Sequence, residues 1–231
     1  GGLGDMNGFW AQAYGITLSN VRHLKKLTAE ADYETRMAQL DEFRKHCAAN
    51  ASQGGRAPKT YIVKPSGGCQ GAGIYLIRGI EGLMPHTAAV VQEYVESPLL
   101  IDGLKFDLRL YILVTSYRPL RCYQYLHGFA RFCNVKYSSD VGELDNPFIH
   151  LTNVAVQKHN DEYNKKHGGK WHVQHLRLFL EGTHGLEATN RLFAEMDKIV
   201  VHSLKAVQGV MINDRHCFEC YGYDIIIDAQ L

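Results

Sequence analysis

Apolar and polar residues repeat along the chain with two different periods, and each period predicts a different kind of element. Between residues 24 and 47, apolar residues recur mostly at steps of three or four among charged ones, which predicts an amphipathic helix. Residues 48–58 have no such period and predict a linker or loop. A second helical pattern, over residues 186–211, predicts another helix. Residues 1–59 are therefore interpreted as a helical N-terminal segment with a linker.

Short apolar runs rich in β-branched residues occupy much of the stretch between the two predicted helices. Residues 104–115 and 120–125 flank the turn-forming pair Arg118-Pro119 and predict a β-hairpin. Further strands are predicted at residues 60–63, 74–77, 88–95 and 217–228. Helices and strands are mixed without an internal repeat, so the sequence predicts an α+β fold, with the main domain over residues 60–231.

The charge balance and the hydropathy of the chain argue against two classes of partner. The sequence carries 25 basic and 24 acidic side chains, so no global charge draws it to nucleic acid. An acidic partner must therefore meet a local basic patch. No apolar run approaches the roughly 20 residues of a membrane span. We predict neither a nucleic-acid partner nor a membrane partner.

A lysine at the end of a predicted strand is followed by a glycine-rich segment. Burying the Lys64 ammonium is costly unless an anion neutralises it, and four glycines lie within residues 66–73. Glycines allow backbone amides to close over a phosphate, although the spacing matches neither the P-loop nor the dinucleotide-binding fingerprint. The pattern therefore predicts a two-stranded lid over nucleotide phosphates. A plain hairpin, with Lys64 extended to solvent, remains the alternative.

Two further predicted strands carry polar residues that suit a nucleotide. Residues 92–95 could offer backbone donor and acceptor groups to an adenine, or form an ordinary edge strand. Period-two spacing places Lys105, Asp107 and Arg109 on one face of a strand, while the apolar residues between them face the core. Three charges on one face indicate triphosphate and metal binding, with a solvated sheet face as the alternative.

Seven short motifs follow one another in order along the chain. They are Tyr61-Ile62-Val63-Lys64-Pro65, Gln70-Gly71-Ala72-Gly73-Ile74, Gln92-Glu93-Tyr94, Lys105-Phe106-Asp107-Leu108-Arg109, Gly128-Phe129-Ala130-Arg131-Phe132, His150-Leu151-Thr152-Asn153 and Tyr221-Gly222-Tyr223-Asp224. In order and approximate spacing, these motifs resemble the tubulin tyrosine ligase-like family, and the resemblance extends from about Tyr61 to Leu231. The segments after Asn153 and before Tyr221 are most similar to the polyglutamylase branch, which contains the catalytic subunit of the tubulin polyglutamylase complex.

The resemblance implies an ATP-grasp fold, in which antiparallel sheets enclose the nucleotide. It implies an ATP-dependent carboxylate–amine ligase that adds free L-glutamate to glutamate side chains of tubulin tails through an acyl phosphate. A glycine or tyrosine ligase of the same fold and a non-catalytic microtubule-binding module are the alternatives. The implied partners are the acidic C-terminal tails of tubulin, microtubules and accessory subunits of a polyglutamylase complex. The implied location is the cytoplasm and cytoskeleton, with the cilium or flagellum and the basal body.

The same resemblance assigns roles to individual residues. Lys105, Asp107 and Arg109 are expected to be catalytic, and Asp224 is expected to bind Mg²⁺. The residues expected to bind ATP are Lys64, Gln70, Gly71, Gln92, Glu93, Tyr94, Val95, Lys105, Phe106, Asp107, Thr152 and Asn153. Arg131 and Lys170 are expected to receive the incoming amino acid. A guanidinium grips one carboxylate in a bidentate pair and a lysine neutralises a second, so two cations suit glutamate.

The sequence departs from the family pattern in two places. Relatives continue after Tyr-Gly-Tyr-Asp into a segment whose Glu and Asn complete the magnesium site, whereas this sequence ends at Leu231. A hard cation needs several oxygen ligands. The prediction is a C-terminally incomplete core, truncated before its last metal-binding segment, with weak nucleotide binding and doubtful catalysis of its own. Ala72 also stands where relatives often carry a lysine, which predicts weaker closure of the lid.

Overall fold

The computed structural model describes residues 58–66, 69–79, 83, 89–163 and 169–231, together with 37–38, 41–45 and 48. The predicted linker and most of the predicted helix over residues 24–47 lie outside this part of the chain. The residues described there, 37–38, 41–45 and 48, are helical. The proposed division between residues 1–59 and 60–231 stays a prediction.

A small sheet contains the first three strands. These are β1 (Thr60–Pro65), β2 (Tyr75–Arg78) and β3 (Ala89–Glu93), in the antiparallel order β2-β1-β3. Val63 and Ile77 are buried in its core, while Lys64 lies in register with Val90. The glycine-rich segment joins β1 to β2, which makes it the hairpin loop between two paired strands, as the sequence predicts.

A larger sheet is organised around one long strand. Its members are β4 (Leu100–Ile101), β5 (Leu104–Tyr117), β6 (Leu120–Gln124), β7 (Phe129–Phe132), β8 (Lys170–His172) and β9 (Glu219–Ile225). Leu108 of β5 pairs with Ala130 of β7 on one edge and with Ile225 of β9 on the other, so β5 is central. Strand β8 extends the sheet beyond β7, and every pairing is antiparallel.

Two helices cover the apolar face of the large sheet. They are α3 (Val173–His184) and α4 (Leu186–Val207); two short helices, α1 (Pro147–His150) and α2 (Val154–Gln157), and a 3₁₀ turn at Val141–Glu143 precede them. Leu108 and Leu110 of β5 share one buried cluster with Leu176, Leu180 and Leu204. Apolar burial of this kind is the main stabilising term in folding. None of the helices in the described ranges is long and apolar enough to cross a membrane.

The elements predicted within the described residues agree with the structure, apart from shifts at their ends. The short strands β4, β7 and β8 and the short helices α1 and α2 were not predicted. The α+β class, the hairpin around Arg118-Pro119 and the helix over residues 186–211 are confirmed by β5, β6 and α4. Helix α3 was not predicted. Its buried Val173, Leu176 and Leu180 recur at steps of three and four, and this is the signal that could have revealed it.

Candidate active site

A cavity of about 270 Å³ lies where residues of the two sheets face one another. Strands β1 and β3 contribute from the small sheet, and β5, β7 and β9 contribute from the large one. The apolar part of its lining is formed by Ile62, Ile74, Val95, Leu151, Ile199, Ile225 and Ile226. A mostly apolar wall with a few placed polar groups is typical of a small-molecule site.

The charged face of β5 meets two neighbouring strands in register. Asp107 lies opposite Arg131 of β7, which in turn lies opposite Lys170 of β8. On the other edge, Arg109 lies opposite Asp224 of β9. Directly opposed residues of an antiparallel pair point to the same face. The register therefore gathers three cations and two carboxylates on one face of the sheet.

Asp224 and Asp107 hold the guanidinium of Arg131 between them. Its Nε lies 2.8 Å from Asp107 Oδ1, and its Nη2 contacts Asp107 Oδ2 and lies 3.0 Å from Asp224 Oδ1. Hydrogen bonds to the two carboxylates raise the pKa of Arg131 despite its burial. A bidentate guanidinium–carboxylate pair fixes orientation as well as charge. Arg131 is therefore held rigidly at the cavity wall.

Lys105 is a buried cation that lines the cavity. The residue is only 5% exposed. Its Nζ donates to Tyr94 Oη at 2.9 Å and to the His150 carbonyl oxygen at 2.6 Å. Burial lowers the pKa of Lys105 to about 8, although the nearby Asp107 opposes this shift. Among the described residues, no carboxylate forms a salt bridge with Lys105. An anionic ligand in the cavity would stabilise this charge.

Lys64 reaches the same cavity from the small sheet. Its Nζ donates to Gln92 Oε1 at 2.8 Å, and both side chains line the cavity. Burial lowers the pKa of Lys64 to about 8, while the carboxylate of Asp224 acts in the opposite direction. Lys64 and Lys105 thus approach one space from two sheets, and each loses hydration there. Two partly desolvated cations facing a common cavity indicate an anionic ligand.

A turn between α1 and α2 brings Thr152 and Asn153 to the cavity. The buried Gln157 holds this turn, since its Nε2 donates to Leu151 O at 2.6 Å and its Oε1 accepts from Asn134 N at 2.8 Å. Gly71 packs directly against the turn, because a Cβ there would lie 3.0 Å from Asn153 Oδ1. The glycine-rich hairpin and the Asn153 turn are therefore in contact at the cavity.

Comparison with known proteins adds the family. A family model described as "Tubulin-tyrosine ligase family" matches residues 13–231. The chain belongs to the tubulin-tyrosine ligase family. The family resemblance drawn from the seven motifs is thereby confirmed, and it rests on nearly the whole chain rather than on those motifs alone.

Curated members of this family are similar to most of the chain. The probable alpha-tubulin polyglutamylase Ttll1 of Tetrahymena thermophila is 51% identical over 74% of this chain and 45% of its own length. The probable tubulin polyglutamylase TTLL9 of Bos taurus is 40% identical over 74% of this chain and 46% of its own. The tubulin polyglutamylase TTLL6 of Mus musculus is 34% identical over 76% of this chain and 23% of its own length. The matches span less than half of each relative's length.

Eleven of the predicted site residues line the cavity together. None of these placements by itself assigns a role. The eleven are Lys64, Gln92, Glu93, Tyr94, Val95, Lys105, Asp107, Arg131, Thr152, Asn153 and Asp224.

The other predicted site residues lie elsewhere. Phe106 is buried in the core, with its ring 5.2 Å from that of Phe132. Arg109 reaches the site through Asp224, and Gln70 is exposed in the hairpin loop. Lys170 is exposed, with Nζ 4.7 Å from the Phe129 ring centroid. The register of β7 and β8 nevertheless places it beside Arg131.

The assignment of Asp224 to Mg²⁺ stays a prediction. Within the described ranges, no group of three or more His, Cys, Asp or Glu residues is placed to hold a metal ion. The carboxylate of Asp224 instead accepts from Arg109 and pairs with Arg131. Because Mg²⁺ demands an octahedral set of oxygens, these residues alone do not form its site.

Sequence reasoning missed several residues that shape the site. The apolar lining residues have the pattern of ordinary core positions, and Ile199 lies on helix α4, outside the seven motifs in sequence. His150 belongs to one of the seven motifs but received no role from the sequence; it lines the cavity and is hydrogen-bonded to Tyr94. Gln157 also received no role, and only its buried contacts reveal that it holds the Asn153 turn.

Proposed function

We propose that the protein is an ATP-dependent ligase that adds glutamate to glutamate side chains of tubulin tails. The observation that carries ATP binding is the buried Lys105 ammonium, which lines the cavity without an ion pair among the described residues. Lys64 adds a second cation from the other sheet. The nucleotide would lie between the two sheets, as in an ATP-grasp fold, with the segment from Gln92 to Val95 against the adenine.

The assignment of glutamate as the transferred amino acid rests on two neighbouring basic residues, Arg131 and Lys170. Asp107 orients Arg131 through Nε and Nη2, and in this proposal Nη1 meets a ligand carboxylate. Lys170 stands next to it in register on the same face of the sheet. Two neighbouring cations suit an amino acid with two carboxylates. The names of the relatives, which are tubulin polyglutamylases, support the same assignment.

The chemistry requires charge stabilisation more than a nucleophile. ATP supplies a phosphoryl group that converts the acceptor carboxylate into an acyl phosphate, and the amino group of glutamate then displaces phosphate. The cations of the cavity would neutralise the phosphate oxygens, a task for which preorganised charge is effective. Thr152 and Asn153 would contact the phosphates from the turn that packs on Gly71. Arg109 would act indirectly, by holding Asp224.

The remaining expectations follow from this assignment. Microtubules would be the macromolecular substrate, accessory subunits would accompany the enzyme, and the cytoplasmic cytoskeleton, cilium and basal body would be its locations. Mg²⁺ would require Asp224 to exchange its arginine contacts for the metal. The alternative of a non-catalytic microtubule-binding module is favoured by one observation, namely that the described residues lack a complete metal site.

The decisive experiment incubates the full-length protein with ATP, magnesium, microtubules and each labelled amino acid in turn. We expect incorporation of glutamate into tubulin. Incorporation of glycine or tyrosine without glutamate would reject the amino-acid assignment. Microtubule binding without any incorporation would favour the non-catalytic alternative. As a role test, Lys105→Met should abolish labelling and weaken ATP binding to a lower but still measurable affinity, whereas Arg131→Lys should abolish labelling and leave most of the ATP affinity.

A further inference from the structure

A buried hydrogen-bonded chain leads from the cavity to the backbone behind it. Lys105 Nζ lies 2.9 Å from Tyr94 Oη, which lies 3.1 Å from His150 Nδ1. His150 Nε2 in turn lies 3.0 Å from the carbonyl oxygen of Glu143. Lys105, Tyr94 and His150 are each less than 9% exposed. The chain therefore links a cavity cation to a fixed point of the 3₁₀ turn that contains Glu143.

The direction of every hydrogen bond in this chain follows from chemistry. A carbonyl oxygen only accepts, so His150 Nε2 carries the proton that it donates to Glu143. Burial lowers the pKa of His150, which favours the neutral ring, and Nδ1 is then an acceptor. Tyr137 is a second hydrogen-bond neighbour of the Tyr94 hydroxyl. In the hydrogen bond to His150 Nδ1, Tyr94 is the donor. Its oxygen is left to accept from Lys105, which has only donors.

This arrangement fixes how the Lys105 ammonium is oriented. One of its three N–H groups is directed to Tyr94 Oη, and a second to the backbone oxygen of His150 at 2.6 Å. The same histidine thus contacts the lysine twice, through its carbonyl directly and through its ring by way of Tyr94. The third N–H group remains for a ligand in the cavity that Lys105 lines. A lysine held by two acceptors is already ordered, so it loses little conformational entropy when a ligand binds.

We propose that His150 is a positioning residue: acting through the Tyr94 hydroxyl, it orients the Lys105 ammonium toward the phosphates of the nucleotide. This role rests on the proposed binding of ATP in the cavity. The groups around the imidazole are the Tyr94 and Tyr137 rings, the Lys105 ammonium and the Glu143 main chain. Among these described neighbours, only Tyr94 bridges the ring to a cavity cation.

The test compares ATP affinities of the full-length protein by isothermal titration calorimetry. Tyr94→Phe removes only the bridging hydroxyl, and His150→Phe keeps a ring but removes the acceptor. Each should weaken ATP binding roughly tenfold, the effect of losing a hydrogen bond to a charged group. His150→Asn retains an acceptor near the position of Nδ1 and should restore most of the affinity. Tyr117→Phe is the matched control, because that buried hydroxyl bonds to Tyr221 away from the cavity.

Repeating the substitutions in a Lys105→Met background separates positioning from a general structural role. If Tyr94 and His150 act through the lysine, Tyr94→Phe and His150→Phe should cause no further loss once Lys105 is absent. The positioning role is overturned if Tyr94→Phe or His150→Phe lowers the ATP affinity further in the Lys105→Met background. It is also overturned if neither single variant changes the ATP affinity. Neither result contradicts the proposed binding of ATP. Failure of the unsubstituted protein to bind ATP would instead overturn the proposed function, and this inference with it.

Discussion

Arg109 and Asp224 face one another across the β5–β9 pair, and the guanidinium grips the carboxylate through two hydrogen bonds of 2.6 and 3.2 Å. Asp224 also lies 3.0 Å from Arg131 Nη2. One carboxylate therefore joins the charged face of β5 to Arg131, the arginine that we assign to the amino acid. The network ties three strands together at the cavity wall.

The Arg109–Asp224 pair should contribute measurably to stability. The side chains are 30% and 39% exposed, so solvent weakens the pair, and we expect a coupling energy of about 1 kcal/mol. Urea unfolding of Arg109→Leu, Asp224→Asn, the double variant and the parent measures it. The exposed Arg191–Glu187 pair of α4 is the matched control and should give about 0.3 kcal/mol. Equal coupling in the two pairs would refute the expected difference.

Lys105 should make the free energy of unfolding depend on pH in the alkaline range. The native pKa is about 8 and the ordinary value is 10.5, so between these limits the unfolded chain binds one more proton. Stability from this group therefore rises as pH rises through that window. Between about pH 7.5 and pH 9.5 the parent should gain about 1–2 kcal/mol over Lys105→Met in urea unfolding. The exposed Lys198→Met should follow the parent, and parallel profiles of the parent and Lys105→Met would contradict the prediction.

Gly128 should not tolerate a methyl group. A Cβ there would lie 2.7 Å from the Arg109 carbonyl oxygen and 2.8 Å from Leu110 Cδ2, and the backbone oxygen cannot move aside. Gly128→Ala should therefore destabilise the protein by about 2–4 kcal/mol, measured by chemical denaturation. In helix α3, Gly182→Ala meets nothing within 4 Å and should stabilise by about 0.5–1 kcal/mol. A neutral Gly128→Ala would show that β5 and β7 separate easily.

Gly71→Ala should weaken nucleotide binding by displacing Asn153. The new Cβ would lie 3.0 Å from Asn153 Oδ1 and 3.1 Å from Val156 Cγ2, with the backbone at φ +89°. We expect ATP affinity to fall about tenfold in titration calorimetry. Gly103→Ala carries a similar strain at φ +78° but touches only the Lys136 side chain, at 3.6 Å or more. That control should lose stability without losing affinity, and equal affinity losses would attribute the effect to strain alone.

The fold class was predictable because local patterns determine local structure. Alternate residues of a strand point to the same face, so strand geometry alone places Lys105, Asp107 and Arg109 on one face of β5. The hairpin and helix α4 follow from a turn and a sustained helical period in the same way. Helix α3 escaped prediction because its three buried residues span only two turns.

The sequence alone determined the family, the α+β class and most of the residues that line the cavity, because motifs and periodicities are local. Tertiary structure alone decided that Arg131 is held between Asp107 and Asp224, and that His150 touches Lys105 through Tyr94. These contacts join residues far apart in the chain. Strand register, helix packing and burial set them, and no local pattern records which distant side chains will meet.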